Sequence, residues 1–217
     1  MKFPKGELAR RHLTQADPRL AEIIDEVGPI RIDLDPNETV FESLATSIVY
    51  QQLHGKAAAA ILERFKTLLG NSPFPTPEQV LSQPEESLRS TGLSRNKILS
   101  MKDLSQKILD GTLPQRSDAE KLSDAALLEV LVQVRGIGPW TAQMFLIFTL
   151  GRTDVLPIGD FGVRRGFAAV FGKKKMPSPE QLQAAAEKWR PYRSAASWYL
   201  WQALELERFK KIKFVDT

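Results

Sequence analysis

The chain has 217 residues, 42% hydrophobic and 26% charged, with a formal net charge of +4 and no cysteine. These proportions exclude a disordered chain and fit one large or two small packed units. Without cysteine there is no disulfide, thiol nucleophile, Cys-ligated zinc or cysteine-held iron–sulfur cluster, and two histidines, His12 and His54, leave little scope for a histidine metal site.

Apolar runs such as Met144–Leu150 are too short to span a bilayer, and no apolar leader follows Met1. The expectation is therefore an intracellular protein (cytoplasm or nucleoid, or a nucleus) with no membrane partner. Charge is unevenly placed: residues 1–160 hold 18 Lys/Arg against 21 Asp/Glu, and residues 161–217 hold 12 against 5. A basic C-terminal part suits a polyanionic partner, and an ordinary solvated surface with a basic tail explains the charge equally well.

In chain order, residues 1–17 read as a basic, polar, loosely held lead-in. Asp17-Pro18 starts a helix with Leu20, Ile23, Ile24 and Val27 on one face, stopped by Gly28-Pro29. Ile30–Leu34 alternates apolar and charged residues as a short extended segment without an obvious partner. A helix over Glu38–Gln51 carries Phe41, Leu44, Ala45, Ile48 and Val49 at helical spacing, and Gln51–Gly55 interrupts it before an Ala-rich helix over Lys56–Leu69.

Pro73, Pro75 and Pro77 force a loop, with short helices at Thr76–Ser82 and Pro84–Ser90. Ser94 can cap a helix over Arg95–Asp110. Ser123–Val132, Phe161–Phe171, Ser178–Trp189 and Ser194–Phe209 complete the helical pattern. Period two is almost absent, so the chain reads as all-α, with about ten or more helices.

The most informative stretch is Val134–Asp160, VRGIGPWTAQMFLIFTLGRTDVLPIGD. Gly136-Ile137-Gly138 permits a tight backbone turn, and Pro139 suits the first position of the following helix. A turn that opens onto a helix N-terminus directs amide N–H groups outward, a setting for phosphate. With Leu128, Leu131 and Val134 before it and Thr141, Ala142 and Phe145 after it, the pattern is helix-hairpin-helix. It grips a nucleic-acid backbone without reading bases. Ser94, Arg95 and Lys97, polar and basic at a helix start, join Gly136, Ile137 and Gly138 as expected DNA-backbone contacts.

Asp160 reads either as a simple N-cap or as a carboxylate poised to stabilise a developing cation and orient water, and the two are compatible. Trp140, Phe161, Trp189, Tyr192, Trp198, Tyr199 and Trp201 could stack a base by their faces, although core packing is the better account of Trp189 and Trp198.

These residues resemble the helix-hairpin-helix (HhH-GPD) DNA glycosylase superfamily, whose signature is a Gly-rich hairpin followed by a Pro- or Gly-flanked Asp. Gly136–Ala142 and Leu156-Pro157…Asp160, together with Ile48–Leu53 and Trp189–Ser194, are similar to the 3-methyladenine DNA glycosylase II (AlkA-like) branch. The similarity extends from Phe41 to Leu204 and fits a short form without an extra N-terminal α/β domain. The resemblance implies an all-α fold of two helical subdomains with the active-site cleft between them. It makes residues 1–217 a single HhH-GPD core, with the helix-hairpin-helix over about 124–150 and a catalytic loop over about 154–162.

It further implies a monofunctional DNA glycosylase of base excision repair, which flips out alkylated purines of the 3-methyladenine and 7-methylguanine type and hydrolyses the N-glycosidic bond. Asp160 falls on the catalytic aspartate. Trp140 falls where bifunctional members carry a lysine nucleophile, so no lyase step is expected. Trp140, Phe161, Trp201 and Met144 fall on the base pocket. Leu53 falls on the minor-groove wedge, flanked by Gln52 and His54. The carbonyls of Val132, Val134 and Ile137 fall on a site for Na⁺ or K⁺. No cofactor for catalysis, no iron–sulfur cluster and no obligate protein partner are implied; the partner is double-stranded DNA containing alkylated bases.

The main alternative is a non-catalytic helix-hairpin-helix DNA-binding module. It accounts for the hairpin and the basic C-terminal part but leaves Asp160, Gln52-Leu53 and Trp201 unexplained. An all-α interaction scaffold with every aromatic in its core leaves the separated motifs as coincidence.

Overall fold

Seven of the helix starts described are fixed by a capping side chain, each contributing about 1 kcal/mol. The computed structural model describes residues 2–70 and 73–210, and among them are fourteen α-helices and no strand, so the all-α class holds. The first, α1 (Gly6–Ala16), lies where the sequence suggested a loose lead-in; Ala9 and Leu13 on its inner face are completely buried. Asp17 then accepts the amide of Arg19, and Pro18 opens α2 (Pro18–Val27). The extended segment that follows does have a partner: Phe3 N donates to Ile32 O at 3.0 Å, and Lys2 bridges to Asp33.

Thr39 caps α3 (Val40–Tyr50), and α4 (Gly55–Leu68) follows the interruption. Thr76 and Gln79 form a capping box ahead of α5 (Pro77–Ser82), with α6 (Glu85–Ser90) next. Ser94 caps α7 (Arg95–Leu109). One turn, α8 (Arg116–Ala119), was not foreseen because four residues carry no readable period. Ser123 caps α9 (Asp124–Leu131), the hairpin follows, and α10 (Pro139–Phe148) leaves it.

Asp160 caps α11 (Phe161–Val170), and Ser178 with Gln181 boxes α12 (Pro179–Ala186). The helix expected over Ser194–Phe209 is two: α13 (Arg193–Ala203) and α14 (Glu207–Lys210), separated by a turn that no local breaker residue announces. The end of the basic tail, residues 211–217, lies outside the described residues.

The fold divides into two compact units, Pro36–Phe145 and the described residues of Met1–Asp35 with Leu146–Thr217. In the unit Pro36–Phe145, α7 packs against α3, α5 and α6. It buries Ile98, Met101 and Leu104 completely, as α3 does Leu44, Ala45 and Ile48. In the other unit, α13 packs against α1, α2 and α11. A Cβ on Gly166 would lie 2.2 Å from Leu200 O, so only glycine lets α11 and α13 approach this closely. Tyr199 donates to Gly28 O at 2.9 Å, and burial pushes its phenol up to about 12. Trp189 and Trp198 are both core residues, as the sequence favoured.

Candidate functional site

In the unit built on α13, the loop after α10 turns twice through backbone hydrogen bonds, Ile158 N to Leu156 O and Asp160 N to Pro157 O, each 2.9 Å. These turns bring Asp160 to the start of α11. Its Oδ1 accepts Val163 N at 2.6 Å and the Trp201 indole Nε1 at 2.8 Å. Two N–H donors and the positive end of the helix are matched to a negative charge there. Asp160 is therefore the N-cap of the ordinary reading, and the acid is also fixed from α13.

Gly162 makes that possible: a Cβ there would lie 2.8 Å from Trp201 Cδ1 and 3.1 Å from Asp160 Oδ1. The Trp201 ring stacks on Phe148, centroids 5.8 Å apart at 28°. Phe161, directly after the acid, is 61% exposed. Asp160, Phe161 and Trp201 are thus gathered in one place.

Sequence reasoning missed what holds this loop. Asp154 accepts Arg190 Nη1 at 2.7 Å and Arg193 Nε and Nη2 at 2.7 and 3.0 Å. Ser194 Oγ accepts Val155 N at 2.9 Å and donates to Arg152 O at 2.6 Å. The segment Trp189–Ser194, which carried part of the resemblance, is the clamp on the loop that ends in Asp160. Trp189 anchors the clamp by donating Nε1 to buried Asp17 at 3.1 Å. An Asp followed later in the chain by two arginines was the available signal, too weak without the fold.

In the unit Pro36–Phe145, the hairpin closes by Val134 N to Leu131 O at 3.2 Å and Ile137 N to Val134 O at 3.0 Å. Ile137 is buried, Gly136 sits at φ +78°, and a Cβ on Gly136 would lie 2.6 Å from Ser100 Oγ. Ala142 N to Gly138 O, 3.1 Å, begins the hydrogen bonding of α10. Arg135 N donates to Asp103 Oδ2 at 2.7 Å. Burial pushes the Asp103 carboxyl up, but Lys107 and the Arg135 amide outweigh it and hold it below the usual range.

Gln52, at φ +57°, turns the chain after α3; Leu53 stands 39% exposed, and His54 precedes α4. Gln51 Nε2 reaches Gly136 O at 2.9 Å. Trp140, Met144 and Gln52 line one cavity of about 540 Å³ together with Ser47, Tyr50, Gln51, Gly136 and Thr141. Ser47 and Tyr50 were not singled out, although they lie three apart on α3 and so share a face. Ser94 serves as the α7 cap, and Arg95 is exposed beside Glu85 at 3.6 Å. Lys97, expected at the DNA backbone, donates its Nζ to Val49 O and Gln51 O, both at 2.7 Å. Burial pushes its ammonium below the usual lysine range.

No group of three or more His, Cys, Asp or Glu placed to hold a metal occurs among the described residues. No described helix is long and apolar enough to cross a membrane.

Residues 45–191 match the family described as HhH-GPD superfamily base excision DNA repair protein. DNA-3-methyladenine glycosylase 1 of Schizosaccharomyces pombe is 37% identical over 94% of this chain and 90% of its own length. A solved S. pombe 3-methyladenine DNA glycosylase in complex with abasic DNA has a TM-score of 0.81, with 36% identity over 94% of this chain and 99% of that one. A DNA-3-methyladenine glycosidase structure from Bacillus halodurans also has a TM-score of 0.81, with 35% identity over 94% and 91%. This chain belongs to the HhH-GPD superfamily of base excision DNA repair proteins, among the 3-methyladenine DNA glycosylases.

Proposed function

We propose that the chain is a monofunctional DNA glycosylase that releases alkylated purines of the 3-methyladenine and 7-methylguanine type from double-stranded DNA, with Asp160 as its catalytic residue. The observation that carries this is the grip on Asp160 Oδ1 by Val163 N and Trp201 Nε1 at the start of α11. An alkylated purine nucleotide is cationic, so its base leaves neutral and needs no strong general acid. The glycosidic electron pair goes to the base, positive charge develops on the sugar at C1′, and a held carboxylate stabilises it. Water then adds at C1′ and gives up a proton towards the carboxylate. One acid suffices where ordinary glycosidases use two.

The rest of the reading assigns roles to the residues around that step. Phe161 and Trp201, beside the acid, offer ring faces to a cationic base, about 0.5–2 kcal/mol per ring, and Trp140 with Met144 offers a ring and a thioether in the cavity they line. Leu53, with Gln52 and His54, fills the stack left by the extruded nucleotide. Gly136, Ile137 and Gly138 present the hairpin amides, with Ser94 and Arg95 on the same unit, to the phosphate backbone. Trp140 stands where a lyase would need an amine, so no Schiff base forms and the strand is not cut.

Na⁺ or K⁺ fits the carbonyls of Val132, Val134 and Ile137. Val132 is 39% exposed, the carbonyl-rich end of α9 favours a cation, and Val134 O has accepted only Ile137 N among the hydrogen bonds described, leaving a lone pair. Such an ion would bridge the hairpin to a phosphate. An enzyme acting on DNA works in the compartment that holds it, cytoplasm with nucleoid or nucleus.

The test is release of free 3-methyladenine from methylated duplex DNA, wild type beside Asp160→Asn, with strand breaks scored without alkali. Base release without cleavage, reduced about 10²-fold or more in the variant with binding intact, is expected. A fully active Asp160→Asn overturns the assignment. Salt-sensitive binding without any release by wild type would make the chain a DNA-binding module instead.

A further inference from the structure

We propose that one face of α7 is a strut that locks the loop presenting Leu53 to the hairpin, with Lys97 as the positioning residue; this rests on the wedge and hairpin roles proposed above. Residues 97, 100 and 103 are spaced by three and share a side of the helix. Lys97 Nζ donates to Val49 O and Gln51 O at 2.7 Å each, holding the loop. Ser100 lies beneath Gly136, with its Oγ 2.6 Å from where a Cβ would stand, so the hairpin backbone rests on α7. Asp103 Oδ2 accepts Arg135 N at 2.7 Å, holding the hairpin. Gln51 Nε2 closes the frame on Gly136 O at 2.9 Å. Loop and hairpin are each tied to α7 and to one another.

Such a frame answers a mechanical need. Gln52 is one of two non-glycine residues with positive φ among those described, at +57°, and it directly precedes Leu53. A left-handed residue persists only where its surroundings over-determine it. Lys97 fixes the carbonyls of Val49 and Gln51, on the side from which the chain enters that turn. An apolar side chain driven into a base stack meets resistance, and a loop free to relax would yield instead of opening the duplex. Tying the loop to the element that holds the backbone lets the grip oppose the push. A partly buried ammonium directed at two carbonyls is also a costly way to fill space, where an apolar side chain would serve packing alone.

The test is a double-variant cycle on base release from methylated duplex DNA and from the same DNA heat-denatured to single strands. Lys97→Met keeps the stem and removes the donors. Release from duplex should fall about tenfold, the scale of a hydrogen bond to a charged group, and release from single strands should stay within about twofold. Once Leu53→Ala has removed the wedge, adding Lys97→Met should cost nothing further, because Lys97 acts through Leu53. Lys97→Gln, able to reach one carbonyl, should fall between wild type and Met, and it carries the test if Lys97→Met does not fold.

Equal losses on duplex and single strands, or multiplicative losses in the double variant, overturn the strut. Duplex-selective loss in Leu53→Ala beside a wild-type-like Lys97→Met overturns it alone. A Leu53→Ala variant as active as wild type on duplex overturns the wedge role itself, and the strut with it.

Discussion

The loop that ends in Asp160 and the hairpin at Gly136–Gly138 both join helices, yet different groups are held in each. In the Asp160 loop, acidic side chains are themselves held: Asp154 is clamped by Arg190 and Arg193, and Asp160 by Trp201 and the Val163 amide, while Ser194 ties the Val155 amide and the Arg152 carbonyl. In the hairpin, side chains hold backbone: Asp103 takes the Arg135 amide and Gln51 the Gly136 carbonyl. On the roles proposed above, the difference follows from what each presents. Bond cleavage needs one oxygen at one place, so a side chain is immobilised. A grip on a repeating phosphate chain needs amides at fixed spacing, so the main chain is immobilised. Substitutions in the first should alter base release with binding intact, and those in the second should alter binding or folding.

The largest effect belongs to Asp160→Asn, where release falls about 10²-fold or more and duplex affinity stays. A parallel loss of affinity would break the division of labour at its strongest point. Next comes Trp201→Phe. The ring stack on Phe148 survives but the Nε1 donor to Asp160 Oδ1 is lost, a hydrogen bond to a carboxylate on the scale of about 1.5–3 kcal/mol. Single-turnover release should slow about tenfold or more, with little change in Kd. A wild-type rate would mean that the acid is held well enough without the indole donor.

The same contrast explains how much could be read from sequence. The hairpin and the caps are local: Gly136-Ile137-Gly138-Pro139, Ser94, Ser123 and Asp160 lie within a few residues of the groups they serve, so spacing alone exposes them. Trp201 and Asp160 are 41 residues apart, as Asp154 and Arg193 are 39 apart, and no periodicity links such pairs. The sequence offers Trp201 as a face for a base and gives no sign that its edge also holds the acid. Lys97 is expected at the DNA backbone from its charge, and composition does not record that its Nζ is directed at the carbonyls of Val49 and Gln51. The helix α1 was missed because Lys5 before it makes no side-chain cap and its apolar positions, Ala9 and Leu13, are few.

The finest test separates the two glycines of the hairpin. Gly136 is required by the fold: at φ +78° a side chain is strained, and a Cβ would crowd Ser100 Oγ at 2.6 Å. Gly136→Ala should cost about 1–3 kcal/mol, visible as a lower thermal midpoint. Gly138 has neither constraint, since its φ is ordinary and a Cβ there meets nothing within 4 Å. Folding alone gives no reason for a glycine at 138. The small loss of an alanine at a helix cap and the gain from a stiffer unfolded chain nearly cancel, so Gly138→Ala should change stability by no more than about 0.5 kcal/mol. If the amides at the start of α10 meet a phosphate, however, the added methyl stands in the approach. Affinity for undamaged duplex should then fall several-fold, and the plot of log K against log salt should become shallower by about one, as when one phosphate contact is lost. An unchanged slope and affinity would show that the hairpin's open side faces water and not a nucleic-acid backbone, and the contrast between a loop built for chemistry and one built for grip would fail on its second half.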